Sequence, residues 1–479
     1  MAAKASFDRS QVPEPIFDAD TSLVDLYWKA WELAWDHVIS RSGAPQSPYI
    51  DCGFTPGGGN VIWIWDSCFM AMYCKYAAQI FPSVETLNNF YWIIHDGAKS
   101  KLKIEHADNP PLFAWVEWEN FCHSGNAGRL HYIFAERRYL QKHYDFIEQS
   151  RRWHWKKFAT NPLFARRFPL GFLWSGVASG MDNTPRGRGK RGQILWLDLL
   201  AQQGLAAEHM AKIARVLGDT IAVEDFMARY EGIKSLLNAR YWDPADGIYY
   251  DIKRKQPEQF VRVKTPAAFW PMLAGMCNQD QAARLAATVE DPRCFGGEVP
   301  WPSVARDDPD FDPDGRYWRG GVWLPTAYMA TKALERYGFH ELADATSGRL
   351  LAHINRTFKE HAPHTIWELY SPTAPKPGST GNGHSPARPN FCGWSALGPI
   401  SLFLENVLGF HTVDASKPRV DWRLHQEGRH GIRRLRFGAI IADLVHEGGT
   451  VEVSTNLPFA LAINGQEFEV QEGTQVLPL

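Results

Sequence analysis

The chain has 479 residues, of which 45% are hydrophobic and 22% are charged. This composition excludes a disordered or fibrous protein and suffices for one large core or two modest ones. Lys and Arg number 51 against 53 Asp and Glu, a net charge of −2, so the charge balance indicates neither nucleic acid nor an anionic membrane as a partner. No apolar run approaches the roughly 18 residues of a membrane-spanning helix.

The first residues and the cysteines favour a cytoplasmic protein. Residues 1–9 contain neither an apolar stretch nor a cleavage site of the kind that directs secretion. The seven cysteines are scattered and lack the CxxC spacing of a zinc or redox site. We therefore expect free thiols in a reducing compartment, with no metal and no other cofactor.

Helical periodicity dominates most of the chain. Residues 1–20 are polar, contain two prolines and predict an irregular arm. From Thr21 onward apolar side chains recur at spacings of three and four, the period of an amphipathic helix. Further helices are predicted at roughly 66–80, 83–99, 112–122, 127–145, 148–158, 194–217, 222–240, 267–276, 279–289, 322–337, 341–359 and 394–408.

The connections between these helices are unusually long. Examples are the segments 41–64, 101–111, 159–193, 290–321 and 360–393, and connections of such length are typical of functional loops. About a dozen helices with elaborate loops predict a toroid of helical hairpins, (α/α)6, whose loops build a site at one end.

The pattern changes to alternation near the C-terminus. Residues 433–445 and 450–455 alternate, and Asn464-Gly465 is a hairpin signal. We therefore predict an all-α fold, an (α/α)6 toroid with a small C-terminal antiparallel β appendage. Its predicted parts are an N-terminal arm at 1–20, a catalytic domain at 21–415 and a β domain at 416–479.

Tryptophan is the unusual residue of this composition, with 20 copies. These rings either fill the core or line a site, since Trp combines a large apolar area with a polar N–H group. Flat rings suit the apolar C–H faces of sugars, so carbohydrate is the ligand class to test. Both interpretations stay open at this level.

Two loop segments combine Trp, Gly and a carboxylate. The first, Gly57-Gly-Gly-Asn-Val-Ile-Trp-Ile-Trp-Asp, leads to Asp66, which either caps the next helix or faces a ligand. The second, Ser179-Gly-Met-Asp-Asn-Thr-Pro-Arg, places Asp182 either in an Asx-turn or in a site. The cations that follow, at 188, 190 and 191, are typical of a solvated basic loop.

Two later segments repeat this combination. In Tyr317-Trp-Arg-Gly-Gly-Val-Trp, Arg319 lies between two Trp residues and is either a structural cation–π element or a ligand clamp. In His364-Thr-Ile-Trp-Glu-Leu-Tyr, aromatic neighbours favour a raised pKa for Glu368. Two carboxylates that face each other across a cleft would suit glycoside hydrolysis. The competing carboxylates are Asp66, Glu117, Glu119 and Glu298.

These segments make the sequence resemble glycoside hydrolase family 63, the (α/α)6 group related to the family 37 trehalases. Trp63-Ile-Trp-Asp resembles the early W-x-W-D element, and Ser179-Gly-Met-Asp-Asn-Thr-Pro-Arg resembles S-G-M-D-N-S-P-R. Tyr317-Trp-Arg-Gly-Gly-Val-Trp and Trp367-Glu-Leu-Tyr-Ser-Pro resemble Y-W-R-G-P-V-W and W-E-N-Y-N-P. Together with a late G-W-S-A-L element, these motifs follow the family order between about Ser22 and Phe410.

The resemblance implies specific roles. Asp182 takes the place of the general acid and Glu368 that of the general base of an enzyme that inverts the anomeric configuration. Six positions match the subsite for the non-reducing sugar: Trp63, Trp65, Asp66, Trp318, Arg319 and Trp394. The candidate substrate-binding set also includes Trp115, Met181, Asn183, Arg186, Gly320, Trp323, Trp367 and Tyr370.

Two departures from the family pattern stand out. The large N-terminal β domain of many members is absent, and the resulting short architecture is similar to that of the bacterial mannosylglycerate hydrolases. The segment 416–479 is additional to this short architecture. It either covers a face of the toroid or forms an oligomer contact. The polar loop at 371–390 either closes over substrate or is a plain surface loop. A charged aglycone would need a cation near the leaving group, and Arg186, Arg188 and Lys376 lie on suitable loops.

The sequence thus predicts an inverting, exo-acting α-glycosidase for a small soluble α-glucoside or α-mannoside, either a disaccharide or a glycosyl-glycerate. The expected partner is a small carbohydrate, and a homo-oligomer is left open. Three alternatives remain: another sugar such as a galactoside or rhamnoside, a sugar epimerase or lyase that uses a histidine such as His106, and a sugar-binding protein.

Overall fold

A computed structural model describes residues 6–55, 57–149, 155–187 and 192–479. The described residues form thirteen α-helices: α1 (Thr21–Asp36), α2 (Ile64–Cys74), α3 (Asn88–His95), α4 (Phe113–Ser124), α5 (Ala127–Leu130), α6 (Tyr139–Gln149), α7 (Gly176–Ser179), α8 (Leu197–Val216), α9 (Thr220–Arg240), α10 (Trp270–Leu273), α11 (Gln279–Glu290), α12 (Leu324–Arg336) and α13 (His340–Glu360). A tight turn at Trp394–Leu397 continues into a π-helical segment at Gly398–Val407. Among the described residues, no helix is long and apolar enough to cross a membrane.

The helices are arranged as a ring within a second layer. Six segments contact one another in a closed circuit, in the order α2, α4, α8, α10, α12 and 394–407, and the last returns to α2. Outside this ring, α9 packs on α8, α13 packs on α12, and α1 packs on the π-helical segment. All residues of α2 and most of α8 are buried, as expected for helices that are enclosed on every side.

The same residues form twenty strands. They are β1 (Glu14–Phe17), β2 (Val38–Ile39), β3 (Tyr49–Ile50), β4 (Val61–Ile62), β5 (Lys103–Ile104), β6 (Arg166–Phe168), β7 (Gly171–Leu173), β8 (Ile194–Leu195), β9 (Trp242–Asp243), β10 (Ile248–Tyr249), β11 (Asp251–Lys253), β12 (Gln256–Val261), β13 (Phe410–Asp414), β14 (Arg419–Trp422), β15 (His430–Phe437), β16 (Ile440–Glu447), β17 (Thr450–Thr455), β18 (Phe459–Ile463), β19 (Gln466–Val470) and β20 (Gly473–Pro478).

Two of the sheets are substantial and lie near the C-terminus. One has five antiparallel strands in the order β1-β15-β16-β17-β20, and the other has four in the order β13-β14-β18-β19. The predicted hairpin at Asn464-Gly465 is confirmed, because Ile463 pairs with Gln466 across it and both turn residues have positive φ. This is the backbone that a two-residue type I′ turn requires.

Three expectations about the fold were wrong. The protein is not all-α, since 42% of the residues are helical and 19% lie in strands, so a helical core carries a β domain. The β part is not purely antiparallel, because β14 and β18 run parallel. The N-terminal arm is not wholly irregular: β1 pairs with β15, with Phe17 opposite His430.

Short strand pairs hold the ends of the long loops. Strand β4 runs parallel to β5, and β8 pairs with β11. Because β4 directly precedes α2 and β8 directly precedes α8, these pairs fix the starts of two ring helices and the loops that lead into them. The candidate site lies on these loops.

Candidate active site

Five tryptophans surround a cavity of about 180 Å³. They are Trp63, Trp65, Trp318, Trp323 and Trp394. Trp318 and Trp323 stack in parallel with centroids 4.1 Å apart, and Trp65 lies 5.9 Å from Trp318 and 6.1 Å from Trp394. Parallel and tilted aromatic pairs at these separations are stabilising, so the rings form a firm wall.

Gly180 allows the loop of Asp182 to approach this wall. The residue ends α7 with a positive φ of 80°, and a Cβ atom there would lie 2.3 Å from the ring of Trp65. Glycine is the residue that tolerates both the left-handed backbone and the close approach. The tight turn therefore brings Asp182 to the rim of the aromatic cavity.

Asp182 faces the cavity, where its side chain remains accessible. Its neighbour Asn183 fixes the loop through two hydrogen bonds. The backbone N–H of Trp318 donates to Asn183 Oδ1 at 2.8 Å, and Asn183 Nδ2 donates to the backbone carbonyl of Arg316 at 3.0 Å. Desolvation by the cavity walls raises the pKa of Asp182 to about 7, and the charges of Glu368 and Glu105 add to the rise. Asp182 is thus suited to carry a proton near neutral pH.

Glu368 is 4% exposed and has a different environment. The Tyr317 hydroxyl donates to its Oε1 at 3.1 Å, and Trp394 Nε1 donates to its backbone carbonyl at 3.2 Å. Burial raises the pKa of Glu368, whereas the Arg388 charge and the Tyr317 hydrogen bond oppose the rise. Two carboxyl groups whose environments differ in this way can act as an acid and a base at one site.

Asp66 is the third carboxylate of the site. It lies in the first turn of α2 and is 1% exposed, and among the described residues neither of its side-chain oxygens has a hydrogen-bond partner. Burial raises its pKa well above the ordinary value, and the charges of Asp182, Glu368 and Asp51 add to this. The alternative that it caps α2 is wrong, since the start of α2 has no side-chain cap. Asp66 lines the cavity, and buried polar atoms normally have a hydrogen-bond partner, so its oxygens are candidates for contact with a ligand.

The structure brings together Asp182 and most of the predicted aromatic residues, and it adds others. Phe54, Glu105, His106, Asn109 and Tyr317 also line the cavity. Tyr317 begins one of the motifs quoted above, and the adjacent Glu105 and His106 belong to a loop whose length was itself a signal. Nothing in the local pattern identified Phe54 or Asn109.

Several predicted residues lie outside the cavity. Arg186 is buried between Asp198 and Asp251, with nitrogen–oxygen distances of 2.8 Å to each, and covers the Trp196 ring at 4.7 Å. Met181 packs against it, with its sulfur 3.7 Å from a guanidinium nitrogen. This arrangement is structural.

The remaining members of the set support the loops or line other cavities. Trp367 donates its backbone N–H to the Tyr370 hydroxyl, and the Gly320 N–H donates to Ser303 Oγ. Trp115 lines a separate cavity of about 590 Å³. Arg319 lines a third cavity, of about 280 Å³, beside Asp182 and Asn183. Arg188 lies outside the described residues.

Of the competing carboxylates, only Asp66 lies in the aromatic cavity. Glu117 is buried against Arg129 and Tyr91, Glu298 forms an exposed pair with Arg356, and Glu119 lines the 590 Å³ cavity. Among the described residues, no group of three or more His, Cys, Asp or Glu side chains is arranged to hold a metal ion.

A ring of helices with an aromatic, carboxylate-lined cavity at its loops is an arrangement suited to carbohydrate chemistry, and comparison with known proteins defines the class. The model of the mannosylglycerate hydrolase MGH1-like glycoside hydrolase domain matches residues 61–385. The chain therefore belongs to this family of glycoside hydrolases, which confirms the resemblance to family 63.

One curated relative and two solved structures are similar to parts or most of this chain. A mannosylglycerate hydrolase of Thermus thermophilus is 34% identical over 149 residues, 30% of this chain and 33% of the relative. The structure of a family 63 mannosylglycerate hydrolase from another strain of Thermus thermophilus, in complex with glucose, aligns with a TM-score of 0.55 at 20% identity, over 79% of this chain and 99% of that one. A sialidase structure aligns with a TM-score of 0.70 at 11% identity over 97% of this chain, which spans only 41% of the sialidase.

Proposed function

We propose that this glycoside hydrolase is an inverting, exo-acting α-glycosidase that cleaves a small soluble α-glucoside or α-mannoside. Asp182 protonates the glycosidic oxygen. Glu368 removes a proton from the water that attacks the anomeric carbon from the opposite side. In an inverting enzyme the two carboxyl groups stand about 6.5–9.5 Å apart, which leaves room for this water.

The observation that carries the proposal is the contrast between the two carboxyl groups. Asp182, with its pKa raised to about 7, is exposed and lines both the aromatic cavity and a neighbouring cavity of about 280 Å³. Glu368 is buried and hydrogen-bonded to Tyr317, a wall residue of the same cavity. The raised pKa suits a group that donates a proton, and a hydrogen-bonded carboxylate suits a base.

The size and lining of the cavity support exo action on one terminal sugar. A volume of about 180 Å³ enclosed by aromatic rings is small, and the free oxygens of Asp66 provide acceptors for sugar hydroxyls. The Thermus relatives support the sugar class, because one is named a mannosylglycerate hydrolase and a related structure holds glucose.

The test separates the two roles by the choice of leaving group. Proton NMR would follow the anomeric signals while the enzyme hydrolyses α-glucosyl and α-mannosyl disaccharides and the corresponding α-glycosyl fluorides. Asp182→Asn should lower kcat on the disaccharides by about 10²–10⁴-fold and retain activity on the fluorides, since fluoride departs without protonation. Glu368→Gln should lose activity on both kinds of substrate.

The matched control is Glu298→Gln, which removes an exposed carboxylate and should hydrolyse both kinds of substrate at the wild-type rate. The first product signal from the wild-type enzyme should be the β-anomer. Initial release of the α-anomer would refute inversion, and activity that survives Glu368→Gln would favour an epimerase or lyase that uses another base.

A further inference from the structure

An arginine without an ion pair lies beside the proposed base. Arg388 is exposed, and its backbone carbonyl accepts the N–H of Glu368 at 3.0 Å. Among the described residues Arg388 forms no ion pair, and the segments outside them contain no Asp or Glu. The charge of this guanidinium is therefore not neutralised by a carboxylate partner.

The ring of Phe54 holds this guanidinium in place. The central carbon of the Arg388 guanidinium lies 4.7 Å from the centroid of Phe54, and a cation at this separation is attracted to the face of an aromatic ring. Phe54 in turn packs against Trp63 at 4.7 Å and against Trp394 at 5.6 Å, and all three rings line the aromatic cavity. Arg388 is thus attached to the wall of the cavity.

Glu368 is attached to the same wall. Trp394 Nε1 donates to the backbone carbonyl of Glu368 at 3.2 Å, and the N–H of Glu368 donates to Arg388, as described above. The carboxylate and the guanidinium are thereby held in one small region, and Glu368 is 4% exposed. Because little water surrounds Glu368, the attraction between the two charges is stronger than it would be in bulk water.

The other described titratable groups around Glu368 are a hydroxyl group and two acids. The Tyr317 hydroxyl donates to Glu368 Oε1 at 3.1 Å. Burial raises the pKa of Asp66 and of Asp182, and the charge of Glu368 raises both further, so ionised acids would in turn oppose the ionisation of Glu368. Burial raises the pKa of Glu368 itself, and the charge of Arg388 is the strongest influence in the opposite direction.

We propose that Arg388, held on the ring of Phe54, is a positioning residue that acts through Glu368: its charge keeps the buried carboxylate ionised and therefore able to accept a proton from the attacking water. The inference rests on the proposed function, in which Glu368 is the base. It adds a residue that lies outside all the motifs described above. Arg388 belongs to the loop at 371–390, which thus contributes a charge to the site.

The experiment measures kcat/KM against pH on α-glucosyl and α-mannosyl fluoride. Fluoride departs without protonation, so Asp182 is not required and the acidic limb of the profile reports the ionisation of Glu368. Arg388→Gln should move this limb up by about one pH unit, because a nearby opposite charge is lost, and should change kcat/KM little at pH values well above the limb. Arg388→Lys keeps the charge and should restore most of the wild-type position.

Salt provides a second measurement, which needs no variant. Because Arg388 is exposed, raising the salt concentration from about 0.05 M to about 1 M should screen its charge and move the wild-type limb toward that of Arg388→Gln, whose own limb should stay in place. The matched control is Arg166→Gln, which removes an exposed guanidinium that lies 5.2 Å from the ring of Phe168. Phe168 lines neither cavity beside Asp182, so this variant should behave like the wild-type enzyme at both salt concentrations.

An acidic limb that stays in place in Arg388→Gln, or that moves as far in Arg388→Lys, would overturn the inference while the glycosidase function stands. If Arg388→Gln does not fold, the wild-type profile decides, and a limb that salt does not move would overturn the inference. Failure of the folded wild-type enzyme to hydrolyse any α-glycoside or fluoride, or activity that survives Glu368→Gln, would instead refute the proposed function, and the inference with it.

Discussion

At the scale of single residues, three carboxyl groups of the candidate site have different environments: Asp66 and Asp182 line the aromatic cavity, and Glu368 lies behind its wall residue Tyr317. Asp182 is exposed and has a raised pKa, Glu368 accepts a hydrogen bond from Tyr317, and Asp66 is buried without a hydrogen-bond partner in the described part of the chain. Burial alone favours the neutral form of a carboxyl group, and a hydrogen bond donated to it favours the ionised form. The Tyr317 hydroxyl therefore helps to keep Glu368 charged in a site that otherwise favours protonation.

This hydrogen bond leads to a prediction about pH dependence. In the proposed mechanism kcat/KM falls as pH drops through the pKa of Glu368, because the base is then protonated, and falls as pH rises through the pKa of Asp182, about 7, because the acid is then ionised. Tyr317→Phe removes the interaction that lowers the pKa of Glu368. The acidic limb of the kcat/KM profile should move up by about one pH unit, with less effect on the alkaline limb.

The matched control for the pH profile is Tyr337→Phe. The Tyr337 hydroxyl donates to the Cys277 carbonyl at 2.8 Å, and Tyr337 does not line the aromatic cavity. This variant should reproduce the wild-type profile. An acidic limb that stays in place or moves down in Tyr317→Phe would show that the hydroxyl does not stabilise ionised Glu368.

At the scale of elements, a buried ion-pair network connects the loop of Asp182 to the helical ring. Arg186 lies in the tight turn after Asp182, Asp198 lies in the first turn of α8, and Asp251 begins β11. Asp251 also accepts the Leu197 N–H at 2.8 Å, so its carboxylate is shared between the turn and the start of α8. Three elements are thereby fixed relative to Asp182.

Replacement of Arg186 by a neutral side chain should lower the free energy of unfolding. Arg186→Met leaves two buried carboxylates without their partner, and breaking a buried pair in this way costs about 3–5 kcal/mol. Urea unfolding should show a free energy of unfolding that is lower by this amount. The folded variant should also have a lower kcat, because the ion pairs no longer fix the loop of Asp182. Arg419→Met, which breaks an exposed pair, should lose no more than about 1 kcal/mol. A loss as small as this in Arg186→Met would mean that the network contributes little.

The limits of prediction from sequence follow from the range of the interactions. The start of α1 was predicted from the apolar spacing that begins at Thr21, and the structure adds a cap in which Asp20 accepts the Ser22 N–H. The Asn464-Gly465 hairpin was predicted from its turn residues. Arg186 was misplaced in the substrate site because its partner Asp251 is 65 residues away, and no local pattern reports such a contact. The grouping of Asp182 with the tryptophans was suggested by residue type and loop position and strengthened by family resemblance, whereas their shared cavity depends on the whole ring.

At the scale of the whole molecule, strand β1 joins the two ends of the chain to the helical core. It pairs with β15, and Phe17 packs edge-on against Phe403 of the π-helical segment at 5.9 Å. The fold match to the Thermus mannosylglycerate hydrolase covers 79% of this chain and the match to the sialidase covers 97%. The alignment with the sialidase therefore includes residues that the alignment with the Thermus enzyme does not cover. Strand β1, four residues near the N-terminus, connects the five-stranded sheet to the helices.

The contact of β1 with β15 and with Phe403 should determine whether the C-terminal β sheets and the helical ring unfold together. Phe17→Ala removes a buried ring from this contact, which costs about 3–5 kcal/mol of the free energy of unfolding. Calorimetry should show a lower melting temperature and a broadened or divided transition, because the β sheets are then less firmly attached to the helical ring. Phe468→Ala is the matched control, since Phe468 is a partly buried ring of β19 in the four-stranded sheet, and it should lower the midpoint less without dividing the transition. If Phe17→Ala melts as sharply as the wild-type protein at the same temperature, the parts are coupled elsewhere, through β13 and its contact with α4.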